Sequence, residues 1–188
     1  YASIDWDVHA LRLQGISMDT WETYSSEDMG PVNPGPGEYL YVEWRMMVVT
    51  DRFGGDTLVA VALDDFGGLL TVHLTLDWIQ DYEGDETYYF APGEFHTFLI
   101  RSVNLVDYDL FVDGEYAFSD IFKTPTSVNS LVDWGDGTTL VSTSLWQYFR
   151  CGGAALGDID IDGRVDLRDL ATFAICYMGS NVTQAPPA

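Results

Sequence analysis

Between Ser3 and Arg150 the chain alternates apolar and polar residues with a period of two, segment after segment, and no helical period appears before residue 155. The longest such segment is Tyr39 to Thr50, YLYVEWRMMVVT. In it Leu40, Val42, Trp44, Met46 and Val48 alternate with Tyr39, Tyr41, Glu43 and Arg45. A strand carries successive side chains to opposite faces, so this pattern predicts a strand buried on one side, placed at the centre of a sheet.

Shorter segments repeat the pattern. Ser3 to Leu13 sets Ile4, Trp6, Val8 and Ala10 against Asp5, Asp7 and His9, which reads as one half-buried strand. Thr57 to Leu63, Leu69 to Leu76, Phe95 to Val103, Ser130 to Trp134 and Thr139 to Arg150 follow, with His73 and His96 as isolated strand histidines. Tyr108 to Phe118, YDLFVDGEYAF, is a hairpin signature, because Asp113-Gly114 suits a two-residue type I′ turn. The stretch from Ser25 to Glu38 is rich in proline and glycine and cannot pair as a central strand, so it is a long connection or a site.

Eight or more short strands with turns between them predict an all-β antiparallel sandwich of jelly-roll type over residues 1–150. A chain of 188 residues buries one sizeable core. Residues 151–180 are then a small appendage and 181–188 a tail.

The appendage holds GDIDIDGRVDLRD, Gly157 to Asp169. Asp158, Asp160 and Asp162 alternate, Gly163 is sixth, Asp166 ninth and Asp169 twelfth, which is calcium-loop spacing. Ca²⁺ takes six to eight oxygens, and the seventh residue gives only its carbonyl, so Arg164 fits there without placing its charge on the ion. Five Asp within twelve residues would repel one another as a bare acidic turn. The expected ligands are Asp158, Asp160, Asp162, the Arg164 carbonyl and Asp169, with Asp166 direct or through water. Leu167, Leu170, Ala171, Ala174 and Met178 then recur at helical spacing.

This loop and helix, roughly Gly157 to Met178, resemble one repeat of a dockerin, a family that usually carries two. The resemblance implies, as one alternative, a cohesin-like partner. The segments FHTFLIRS, YDLFVDGEYAF and LWQYFR between His96 and Arg150 resemble the late strands of concanavalin-like and laminin-G-like jelly rolls. A jelly roll followed by a single dockerin-like repeat is similar to secreted proteins of planctomycete-type bacteria.

Thirty acidic against eight basic side chains give a net charge of −22, which repels nucleic acid and anionic membrane surfaces. No apolar run of about eighteen residues exists to span a membrane. A chain beginning at Tyr1 reads as a mature secreted or cell-surface protein with its leader removed. In that compartment Cys151 and Cys176, which bracket the loop, are expected to be bridged, the alternative being two buried thiols. Asn181 opens an N-glycosylation-type sequon, Asn-Val-Thr.

Three functional classes fit this fold. A glycosidase needs two carboxylates across a cleft; no segment matches the E-x-D-x-x-E strand of laminarinase-like jelly rolls, and G-x-S-x-G and HExxH are missing, so the chain reads as non-catalytic. Sugar binding would use aromatics beside turns, here Trp21, Trp78 and Trp134, since Trp6, Trp44 and Trp146 read as core. The third class, a calcium-stabilised extracellular structural protein that self-assembles into a fibre or surface layer, is the preferred expectation. In it the N-terminal strand, residues 1–13, donates Ile4, Trp6 and Val8 to a neighbour's open edge, the alternative being that the same strand pairs within its own sheet.

Overall fold

The computed structural model describes residues 2–5, 7–14, 23–25, 34–51, 57–63, 68–81, 86–122, 131–136, 142–158, 161, 164–165 and 168. These form thirteen antiparallel strands in two sheets, the jelly-roll sandwich that the alternation implies.

In chain order the strands are β1 (Ala2–Asp5), β2 (Ala10–Gln14), β3 (Thr23–Ser25), β4 (Glu38–Asp51), β5 (Thr57–Leu63), β6 (Gly68–Leu74) and β7 (Trp78–Asp81). Then come β8 (Thr87–Tyr89), β9 (His96–Ser102), β10 (Asp107–Val112), β11 (Glu115–Ile121), β12 (Leu131–Asp136) and β13 (Ser142–Ala155). One sheet has seven strands in the order β1-β2-β13-β4-β9-β10-β11, the other six in the order β3-β12-β5-β6-β7-β8. The long strand read from Tyr39 to Thr50 is β4, and it is the middle strand of the seven.

Alternation decides what each strand buries. Leu40, Val42, Trp44, Met46 and Val48 of β4 point between the sheets with Phe98 and Ile100 of β9, Leu110 and Val112 of β10, and Val59, Val61, Val72 and Leu74 of the facing sheet. Aromatic rings interlock there: Trp44 stacks on Phe98 at 5.4 Å between centroids, and Trp134 stacks on Phe149 at 5.0 Å. The fully buried aromatics each remove well over a hundred square ångströms from water, so this interior supplies most of the fold's stability.

The two-residue turn between β10 and β11 is as expected: Asp113 and Gly114 both take positive φ, 52° and 82°, as a type I′ turn requires. The single N-terminal strand is corrected. Residues 7–9 form a turn with His9 at φ 51°, and β1 folds back on β2 with Ile4 opposite Leu11. Asp7 and a histidine tolerant of left-handed backbone favour that turn over a continued strand. Ile4 is 56% exposed at the sheet edge, so the strand meant for donation pairs within its own chain. Trp6 lies outside the described residues, and Val8 sits in the turn, its carbonyl accepting from the Gln147 side chain at 3.3 Å.

Of the residues expected to hold calcium, Asp160, Asp162, Asp166 and Asp169 lie outside the described residues, as do the helix after them, Cys176 and Asn181. Among the described residues no group of three His, Cys, Asp or Glu side chains forms a metal site. No helix among the described residues is long and apolar enough to cross a membrane.

Candidate functional site

The outer face of the seven-stranded sheet carries the side chains that β13, β4, β9, β10 and β11 turn away from the core. Cross-strand register stacks them in rows. One row runs Tyr148–Arg45–Thr97, the next Arg150–Glu43–Leu99–Phe111–Tyr116, the next Gly152–Tyr41–Arg101–Asp109–Ser119. Paired residues in an antiparallel sheet share a face, so each row is a line of neighbours across the strands.

The first two rows form one network. Glu43 is 7% exposed, and both of its oxygens are engaged: Tyr148 donates to Oε1 at 2.5 Å and Arg150 donates to Oε2 at 2.7 Å. Arg45 donates from Nε to Gln147 Oε1 at 2.9 Å and from its terminal nitrogen to Thr97 Oγ1 at 3.0 Å. Gln147 can reach Arg45 because β13 bulges between Trp146 and Tyr148, which adds a residue and turns an extra polar side chain outward.

Burial, and then the hydrogen bond to Glu43, push the Tyr148 phenol above its ordinary value. Burial likewise raises Tyr41, against the pull of the Arg150 charge. Arg150 is held above its ordinary value although burial opposes it, because Glu43 both accepts its hydrogen bond and carries the opposite charge. The network therefore presents neutral phenols between permanent cations.

Beyond it, Arg101 stacks over Phe111 at 4.9 Å, with Asp109 at 3.8 Å, and Phe111 meets Tyr116 edge-on at 5.9 Å. Tyr116 is 57% exposed. At the other end, Arg12 of β2 pairs with Asp5 at 2.9 Å in the row Arg12–Leu145–Met47. Four of the eight basic residues of the chain, Arg12, Arg45, Arg101 and Arg150, thus stand on one face of one sheet.

The start of the acidic loop meets the same face. Tyr39 donates to the Asp158 carbonyl at 2.6 Å, Arg150 donates to the Ile161 carbonyl at 3.3 Å, and Ile161 packs against Tyr39, Ala154, Tyr41 and Leu99. Asp158 is 2% exposed, while Arg164 is exposed. Cys151 lies on β13, half-buried, with its thiol pushed up by that burial.

Two of the tryptophans expected to meet sugar lie among the described residues. Trp134 is half-buried against Trp146 and Phe149, at 4.8 and 5.0 Å. Trp78 is half-buried at the start of β7 opposite Tyr89, and Trp21 lies outside the described residues. The arginine and tyrosine rows were not singled out from sequence. Their signal was the outward set of the longest strand, Tyr39, Tyr41, Glu43 and Arg45, in a chain with so few basic residues.

No family model and no curated protein matches the sequence. Solved structures share the fold. An alginate lyase, AlyC3, in complex with dimannuronate, is 12% identical with a TM-score of 0.60, over 81% of this chain and 77% of that one. The binding domain of botulinum neurotoxin DC in complex with rat synaptotagmin II is 10% identical with a TM-score of 0.56, over 92% of this chain and 45% of that one. A sialidase is 13% identical with a TM-score of 0.56, over 99% of this chain but only 19% of that one.

These likenesses establish the jelly-roll sandwich. They also overturn the expectation of a non-catalytic chain. The missing E-x-D-x-x-E strand excludes one catalytic arrangement, whereas lyase and sialidase structures use the same sandwich, and a fold does not fix a chemistry.

Proposed function

We propose that the outer face of the seven-stranded sheet binds an acidic polysaccharide outside the cell, with Arg45, Arg101 and Arg150 holding its carboxylates. One observation carries this reading: a chain of net charge −22 gathers half of its basic residues on one sheet face, three of them on adjacent central strands. Arg12, Arg101 and Arg150 each already face a carboxylate, so a polyanion settles there by sharing these cations with Asp5, Asp109 and Glu43. Guanidinium groups match carboxylates in a planar, two-pronged geometry. Tyr41, Phe111, Tyr116 and Tyr148 supply aromatic surface for sugar rings.

The dimannuronate-bound lyase supports this choice of ligand class. The fibre reading rested on a free N-terminal strand, and the pairing of β1 with β2 removes that support. A calcium ion in the loop from Asp158 to Asp169 remains part of the proposal on its spacing alone.

A second reading, eliminative cleavage of the same polymer, is favoured by Tyr148, whose hydroxyl sits 2.5 Å from Glu43 with Arg45 beside it in the same row. In such a step a base removes the proton on the carbon next to the carboxylate. The carbon–oxygen bond to the leaving sugar breaks, a carbon–carbon double bond forms, and the leaving oxygen takes up a proton. A bound arginine stabilises the negative charge that develops on the carboxylate, and a phenol can exchange the protons.

The test is affinity electrophoresis in gels containing polymannuronate, polyguluronate, pectate or neutral glucan, with ultraviolet absorbance of the unsaturated product followed in parallel. Retardation by at least one polyuronate, absent with glucan and reduced tenfold or more by Arg45→Ala or Arg150→Ala, is the expected result. Equal retardation by neutral glucan, or none by any polyuronate, counts against the proposal.

A further inference from the structure

A cleft of about 310 Å³ opens where β8 of one sheet approaches the β10–β11 turn of the other. Tyr88, Phe90, His96, Asp113 and Glu115 are among the residues that line it. That volume falls at the lower end of the range for small-molecule sites, roughly 300–1,000 Å³.

The polar wall is built around one carboxylate. Asp113 Oδ2 lies 2.6 Å from His96 Nδ1, and Oδ1 accepts the Thr97 backbone N–H at 2.8 Å. His96 is itself fixed: it is 7% exposed, its Nε2 lies 2.7 Å from the Ala91 carbonyl, and Phe90 packs on its ring at 4.8 Å. Each ring nitrogen faces an acceptor, and which of the two contacts it donates to is set by the tautomer. The type I′ turn holds Asp113 from below, with its backbone N–H bonded to the Thr97 carbonyl at 2.7 Å.

The Asp113 side chain is nevertheless 48% exposed. Each of its oxygens has a second lone pair, with the Thr97 N–H and the His96 ring held behind them. Such a carboxylate accepts two neighbouring hydroxyl groups, and the Tyr88 and Phe90 rings in the same lining suit the apolar face of a sugar ring. Asp113 and Glu115 repel an acidic sugar.

We propose that this cleft is a second ligand site, which takes one residue of a neutral saccharide with Asp113 as hydroxyl acceptor and Tyr88 and Phe90 as stacking wall. Its lining residues are not those that would hold the polyanion, so either proposal can fail without the other.

With only three histidines in the chain, the His96 ring signals can be assigned by His→Gln variants and followed by nuclear magnetic resonance. The full chain is titrated with the methyl glycosides of glucose, mannose and galactose, and separately with ethylammonium. Saturable shifts of the His96 signals with at least one glycoside are expected. These should weaken at least fivefold in Tyr88→Ala or, if that variant does not fold, in the exposed-site variant Glu115→Ala. Absence of a saturable His96 shift with all three glycosides, saturation by ethylammonium alone, or equal affinity in every folded cleft variant overturns the proposal.

Discussion

Tyr148 on β13 donates its phenol hydrogen to Glu43 on β4 at 2.5 Å, and Arg150, two residues further along β13, donates to the other oxygen of the same carboxylate at 2.7 Å. A strand turns every second residue to the same face, so Tyr148 and Arg150 flank Glu43 as a consequence of backbone geometry, without any special loop. The pair makes Glu43 the anchor of the face and Tyr148 a phenol joined directly to a carboxylate.

If the elimination reading holds, Tyr148→Phe is expected to lower turnover of a polyuronate by a factor of about 10² to 10⁴, the usual range for a proton-transferring group, and to leave binding within a few-fold. Absorbance assays and affinity electrophoresis on one preparation separate the two effects. Because the phenol is raised above its ordinary value, its neutral form persists past the pH at which a free tyrosine ionises, and the parent should lose activity only on the alkaline side of that point. Unchanged turnover in Tyr148→Phe would remove Tyr148 from the chemistry.

The type I′ turn gives a stability prediction. Gly114 has φ 82° with open space around the position of a side chain, so Gly114→Ala meets no clash and reports backbone strain alone. The expected cost is about 1–2 kcal/mol, or roughly 2–8 °C in melting temperature for a domain of this size. Thermal melts by circular dichroism measure it, and an unchanged melting temperature would mean that the turn relaxes into another form.

Much of this fold was legible because β9 and β10 keep strict alternation and β4 nearly so, and alternation maps directly onto burial. Reading Ser3 to Leu13 as one strand failed because Asp5, Asp7 and His9 keep the same parity through the turn that they would keep in a strand, so periodicity could not mark the break. Trp134 stands beside a turn in sequence, and its contacts with Trp146 and Phe149, on another strand, could not be read there. The arginine face joins residues more than a hundred positions apart, such as Arg45 and Gln147, and only strand order brings β13 beside β4. His96 showed no partner in sequence because Asp113 lies seventeen residues away, across the β9–β10 pairing.

His73 on β6 gives an acid-side prediction. Burial lowers its ordinary value of 6.5, and the nearby Asp81 charge only partly offsets this. Above pH 6.5 the ring is neutral in the folded and unfolded chain alike and contributes nothing to the pH dependence. Below it the unfolded chain takes up the proton first, so stability falls with decreasing pH, by at most about 1.4 kcal/mol per pH unit, until the folded ring is protonated too. Urea titrations between pH 7 and 5 should show that slope in the parent and a shallower one in His73→Gln. Equal slopes in the two would assign the acid sensitivity to another group.

The acidic loop gives the last prediction. Its first residue, Asp158, is buried and accepts the Tyr39 hydroxyl through its carbonyl, and the Ile161 carbonyl accepts from Arg150, so the loop is tied to the sheet at its first and fourth positions. Calcium binding to the spacing Asp158, Asp160, Asp162, Asp166 and Asp169 would offset the mutual repulsion of five carboxylates and would be felt through both ties. Calorimetry is expected to show one calcium ion per chain. At a hundredfold excess over its dissociation constant it should stabilise the fold by about 2.7 kcal/mol, and chelator should abolish the effect. Asp158→Ala and Asp162→Ala should each weaken binding at least tenfold. Calcium bound as tightly by both variants as by the parent, or not bound by the parent at all, would show that the spacing is a bare acidic turn.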